Sequence, residues 1–183
     1  MTRRQRGRFG DLRLHGLYCV RSRHFVLAGN GASRYSLVNL NHLSRRFESL
    51  ARDGLEYQIA PPASRSAIED TERRLGVIFP DQVRLLFETC DGIEVTQPAF
   101  KLYPLAELQR DGTLLEFCLC DRVHRLAFET REINAAGQWS IVNVDTGYRV
   151  TFTIASFWSI RMWSWIEKRR PIWYDVHGKA GAE

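Results

Sequence analysis

Between Leu40 and Gly92 the apolar residues of this chain recur at helical spacing, and after Gly92 they recur at strand spacing. That change of period limits the fold more than any other feature. Leu40, Leu43, Phe47 and Leu50 predict a helix over 40–54 that ends at Gly54. "APPAS" then breaks the chain, because Pro61 and Pro62 force an extended link. A second helix is expected to begin at Ser64 or Ser66, with Ser66 and Glu69 spaced as a capping box. Ile68 and Leu75 define its buried stripe, and Gly76 is its C-terminal cap. Pro80 suits the first position of a third helix, and Asp81 places negative charge at the positive end of the dipole. Val83, Leu86, Phe87 and Cys90 recur at i, i+3, i+4 and i+7, and Gly92 ends the helix.

Beyond Gly92, "LLEFCLCDR", "RLAFETREI", "QWSIVNVD" and "YRVTFTIA" are short β-rich runs joined by links such as "NAAG" and "DTG". Consecutive strands with short links predict an antiparallel meander, not a doubly wound parallel sheet. "SFWSIRMWSWIEKRR" closes the pattern as a helix with Ser156 as its cap, stopped by Pro171. The expected class is α+β, a mostly antiparallel meander sheet packed with helices in a single domain. Its predicted bounds are 40–173, preceded by a basic arm (1–24) and a strand or hairpin extension (25–39) around Asn30-Gly31, and followed by a flexible tail (174–183). A chain of 183 residues holds one well-buried core of this kind.

Charge sharpens the division. The whole chain carries +5, yet residues 1–24 hold seven Arg against the single acid Asp11, so the rest is close to neutral. An Arg-rich arm is able to touch phosphate or an acidic partner, although a solvated terminus is the simpler account. Its acid-poor composition is shared by organelle transit peptides, but it is poor in Ser, and a cytoplasmic location is expected. No run reaches the roughly 18 apolar residues of a membrane span.

The residues that carry chemistry elsewhere are present but dispersed. Cys19, Cys90, Cys118 and Cys120 are too few and scattered for a disulfide framework. Cys118, Cys120 and His124 share a strand region, but a closed zinc site needs four ligands, so no metal and no cofactor is expected. "GNGASR" lacks the third Gly of a dinucleotide loop, and neither a P-loop nor a nucleophile elbow is found. Glu72 falls on the apolar face of its helix. It reads either as an acid–base group or as a carboxylate that locks the corner by bonding to backbone or Arg, and the second reading is preferred. The expectation is therefore not an enzyme. Near the C-terminus, Trp158, Met162, Trp165 and Ile166 share one helical face that should be core, while Trp163 and Arg161 point away from it. Trp163, Arg161 and Trp173 are the candidate partner-binding residues, since Trp and Arg anchor interfaces; equally, the Trp163 face is a second packed face, set against the sheet or the N-terminal segment.

Read together, "PPAS", Ile68, Glu72, Leu75-Gly76, Phe79-Pro80, Leu86 and Gly92 resemble the motif of the SUKH superfamily, which includes fungal cell-wall-assembly regulators and bacterial toxin-immunity proteins. "FKLYPLAEL" and "ASFWSI" are similar to that family's link into a short helix and its entry to the final helix. Ile93 stands where the family often has a second Gly, and "CLCDRVH" where it has a Gly-Asp-rich turn. The resemblance spans about residues 40–170. It implies that Ile68, Glu72, Leu75, Gly76, Pro80, Leu86 and Gly92 are fold determinants and that the sheet and its adjoining cleft bind protein. The implied partner is a cognate toxin or another client protein. A nucleic-acid role for the arm is the lesser alternative.

Overall fold

The structure, a computed structural model, describes residues 41–174. The basic arm, the extension around Asn30-Gly31, Leu40 of the first apolar stripe and residues 175–183 of the tail lie outside the described residues.

Helix α1 (Asn41–Arg52) buries Leu43 and Phe47, leaves Leu50 half-buried, and is followed by Gly54 at φ +91°. Helix α2 (Arg65–Leu75) is capped by Ser64, whose Oγ accepts the Ala67 N–H at 3.2 Å. The expected Ser66–Glu69 capping box does not form. Ser66 Oγ shares a hydrogen bond with Ser64 Oγ, and Glu69 instead takes Arg65 four residues earlier, at 2.8 Å. Gly76 ends α2 at φ +66°, its N–H returning to the Glu72 carbonyl. Helix α3 (Asp81–Thr89) begins one residue later than predicted, because Pro80 keeps the extended ψ of a cap, 158°. Its stripe of Val83, Leu86 and Phe87 is fully buried, with Cys90 beside it.

Among the described residues the sheet has eight strands, and each pairing in it is antiparallel, as the alternating runs predict. They are β1 (Tyr57–Ile59), β2 (Ile93–Val95), β3 (Phe100–Leu102), β4 (Gln109–Asp111), β5 (Leu114–Cys120), β6 (His124–Glu129), β7 (Ser140–Asn143) and β8 (Arg149–Thr151). Their order is β1-β2-β3-β5-β6-β7-β8, and β4 pairs only with β5. Strands β3 and β4 share one edge of β5: β3 lies along Cys118–Cys120 and β4 along Leu114–Glu116, with a 3-10 turn (Leu105–Glu107) between them. Strand β1 comes from before the helical corner and extends the meander at the β2 edge.

The closing segment runs from α4 (Ile154–Ser156) through a π-helical stretch (Phe157–Met162) into α5 (Trp163–Lys168). Its cap is Thr153, whose Oγ1 accepts the Ser156 N–H at 3.0 Å; Ser156 is already helical, which corrects its expected role. Trp158, Met162, Trp165 and Ile166 lie inward, each at most 5% exposed. They join Phe47 of α1, Ile68 of α2, Leu86 and Phe87 of α3, and the inward sheet residues Phe100, Leu115, Phe117 and Phe128 in one apolar cluster. Among the described residues, no helix is long and apolar enough to cross a membrane.

Candidate functional site

The motif residues of the corner converge, and what they build is a joint. Glu72 is buried, and its carboxylate bridges two elements. Oε1 accepts the Phe79 N–H at 2.6 Å, and Oε2 takes Nη2 of Arg84 at 2.5 Å. The first bond satisfies a backbone donor just before α3, and the second pairs the charge with an α3 side chain. Further clamps tie the corner to the sheet. Arg74 donates to the Leu108 and Leu105 carbonyls, and Arg110 to those of Leu75 and Gly76. Gln138 accepts the Gln82 N–H, and Gln82 accepts the Ala155 N–H, so α3, the β6–β7 loop and α4 meet at one point. Gly92 stands at φ +122°, a backbone conformation that is strained for any residue with a Cβ. Ile68 and Leu86 are wholly buried, and Leu75 packs partly buried against the core. Glu72 has both carboxylate oxygens engaged structurally.

The aromatic tail is likewise packed inward, as the packing alternative for Trp163 has it. Trp163 is half-buried edge-on against Phe47 at 5.3 Å, with the Arg46 guanidinium 5.8 Å from its ring centre. Arg46 is itself held by Glu167, Nε to Oε1 at 2.8 Å, so the cation beside Trp163 comes from α1 and not from Arg161. Trp173 is only 6% exposed: it stacks on His124 at 3.9 Å, meets Trp165 edge-on at 5.0 Å, and its carbonyl accepts Asn143 Nδ2 at 3.2 Å. Arg161 is half-buried on the π-helical stretch. The elements that cover these rings, α1 and β6, are distant in sequence.

Cys90, Cys118 and Cys120 are buried free thiols in the core. Burial pushes Cys90 up to about 11 and holds Cys118 well above the ordinary thiol range. His124 spends its ring on Trp173, and burial lowers its pKa. Among the described residues, no three His, Cys, Asp or Glu side chains come together as a metal site would require.

The sheet's second face offers a different arrangement. Gln58, Glu94, Lys101, Leu119 and Arg125 stand opposite one another across β1, β2, β3, β5 and β6, so they form one rung on one face. These side chains are exposed or half-exposed, while their strand neighbours Ile93, Val95, Phe100, Leu102 and Cys120 lie in the core. A second rung carries Glu116, Ala127, Val142 and Arg149. Charges on this face are knitted together. Lys101 Nζ binds Glu107 at 2.6 Å, Arg125 binds Asp145 at 2.5 Å and lies 3.6 Å from Glu116, and the Tyr103 hydroxyl donates to Glu116 at 3.2 Å. Burial, together with the neighbouring Glu116 carboxylate, pushes Tyr103 up to about 12. Two grooves of about 270 and 230 Å³ flank the Glu94–Lys101 pair. Sequence reading pointed to the sheet through the family resemblance, but not to these residues. "IEV" and "FKL" show which residues alternate outward, but the pairing that aligns Glu94 with Lys101 and Leu119 is a tertiary property.

No family model matches this chain, and no curated protein matches it.

Proposed function

We propose that this protein is an immunity protein: it binds a cognate bacterial toxin directly and neutralises it, without catalysing a reaction. The observation that carries the reading is the outer face of the sheet. Its exposed rung, from Gln58 to Arg125, crosses five strands and at ~4.8 Å per strand spans about 19 Å, while Ala127 and Val142 beyond it are buried. The face is rigid, since every strand in it is paired and its reverse side is core. It also mixes apolar with charged groups of both signs, the composition by which protein surfaces select partners through complementary charge. The resemblance of Ile68, Glu72, Leu75-Gly76, Pro80, Leu86 and Gly92 to the SUKH motif supports the same reading, and the structure's use of Glu72 as a joint agrees with a binding fold.

A regulatory scaffold that holds other client proteins on this face is the alternative, and the two differ in the partner. Co-expression with candidate toxins tests the proposal: rescued growth and co-purification with one of them are expected, and toxins that all still kill and do not co-purify overturn it. A nucleic-acid role would rest on the seven Arg of residues 1–24. Deleting residues 2–13 is expected to leave DNA and RNA retention unchanged, and a steep loss of retention would favour that reading instead.

A further inference from the structure

Glu94 on β2 stands directly opposite Lys101 on β3, the position in which opposite charges on neighbouring strands ordinarily pair. Lys101 goes elsewhere. Its Nζ bonds Glu107 Oε2 at 2.6 Å and lies 5.5 Å from the centre of the Tyr103 ring. Glu94 is therefore left exposed and without a cation among the described residues. It also forms part of the wall of both grooves on this face.

The larger groove, about 270 Å³, is lined in part by Gln58, Asp91, Glu94, Lys101, Pro104 and Glu107. Three carboxylates thus meet one ammonium, and that ammonium is already held by Glu107. Asp91 spends Oδ1 on the Leu105 N–H at 2.7 Å, so Glu94 is the carboxylate with the most capacity left for a new partner. The volume falls below the ~300–1,000 Å³ in which drug-sized ligands are buried, and it suits a single side chain. Pro104 and Ile59 give the same groove apolar wall, as the alkyl stem of a long basic side chain requires.

The geometry points to this groove as the pocket that receives one Arg or Lys side chain of a partner protein, paired with Glu94. The inference rests on reading the outer sheet face as a protein-binding face, and it names the partner chemistry there. A cation entering the groove restores the pairing that Lys101 has left, and a partner bearing Asp or Glu at that point is repelled.

The test is a selection of phage-displayed cyclic heptapeptides on the immobilised full-length chain. Enriched peptides are expected to carry Arg or Lys and to lose about tenfold in affinity on Glu94→Gln. They should lose more on Glu94→Lys, and nothing on Glu48→Gln, an exposed site on α1. Peptide binding should also move the backbone amide signals of Gln58 and Glu94. A selection that yields no basic binder dependent on Glu94 overturns the assignment. The toxin reading fails separately. Growth rescue by Glu94→Lys equal to that of the wild type overturns the groove and leaves that reading standing. Glu94-dependent basic binders without any rescue overturn the toxin reading and leave the groove.

Discussion

Removing the Glu72 carboxylate should cost more than any other polar substitution in the α2–α3 corner. Its side chain is 9% exposed and Arg84's is 29%, so the pair is sheltered but not sealed. Glu72→Ala strands the Phe79 N–H, at a cost of about 1–3 kcal/mol, and leaves the Arg84 guanidinium without its counter-charge. A fully buried broken pair costs about 3–5 kcal/mol, but Arg84 reaches water and recovers part of that. The expected total is about 3 kcal/mol, which for a chain of this size lowers Tm by about 6–12 °C. Glu72→Gln keeps an amide oxygen for the Phe79 N–H, but its Nε2 then faces the Arg84 guanidinium donor to donor and that bond is lost, so it should cost about 2 kcal/mol, less than the alanine. Urea unfolding followed by tryptophan fluorescence measures both, and a double-mutant cycle with Arg84→Met should return a coupling of about 1–2 kcal/mol. A Glu72→Ala loss below about 1 kcal/mol would refute the joint, and so would equal losses for Ala and Gln.

Gly92→Ala should destabilise by about 1–3 kcal/mol in the same assay, because φ +122° is strained for any L side chain. Trp173→Ala should cost about 3–5 kcal/mol of stability, since the ring fills the space between His124 and Trp165. An unchanged Tm with lost partner binding would restore Trp173 as an interface anchor. In a Cys19→Ser background, native protein should react with a thiol reagent only as fast as it unfolds, because Cys90, Cys118 and Cys120 are buried. Tyr103 is held at about 12 in the folded state, above the ~10 of a free tyrosine, so the stability it contributes is complete below pH ~10 and is lost as pH rises toward 12. Tyr103→Phe should remove the latest-titrating component of the ultraviolet absorbance and flatten that alkaline loss of stability.

The parts of this fold that were legible are those whose signals are local. Gly76 and Leu86 lie where spacing and cap chemistry place them, and the long strands β5 and β6 follow their alternation. Strands β1 to β4 have three residues each, too short for a period to show, and they exist because their neighbours pair with them. Thr153 displaced Ser156 as a cap because either hydroxyl suits the position, and β8 ends close enough to start the helix at the earlier one. The packing of Trp163 and Trp173 was not legible because an aromatic that fills a distant gap has the same local pattern as one left for a partner. The make-up of the outer sheet face was hidden for a related reason. Its rung joins residues from 58 to 125, and nothing in five separate strands states their register.

The central claim is that this chain acts by binding and neutralising a toxin. The most direct measurement is growth of cells that express candidate toxins one at a time together with the full chain, followed by size-exclusion chromatography of what is purified. The account predicts restored growth and a single complex with one of them. Toxins that all arrest growth equally with and without this chain, and that elute apart from it, would contradict the account.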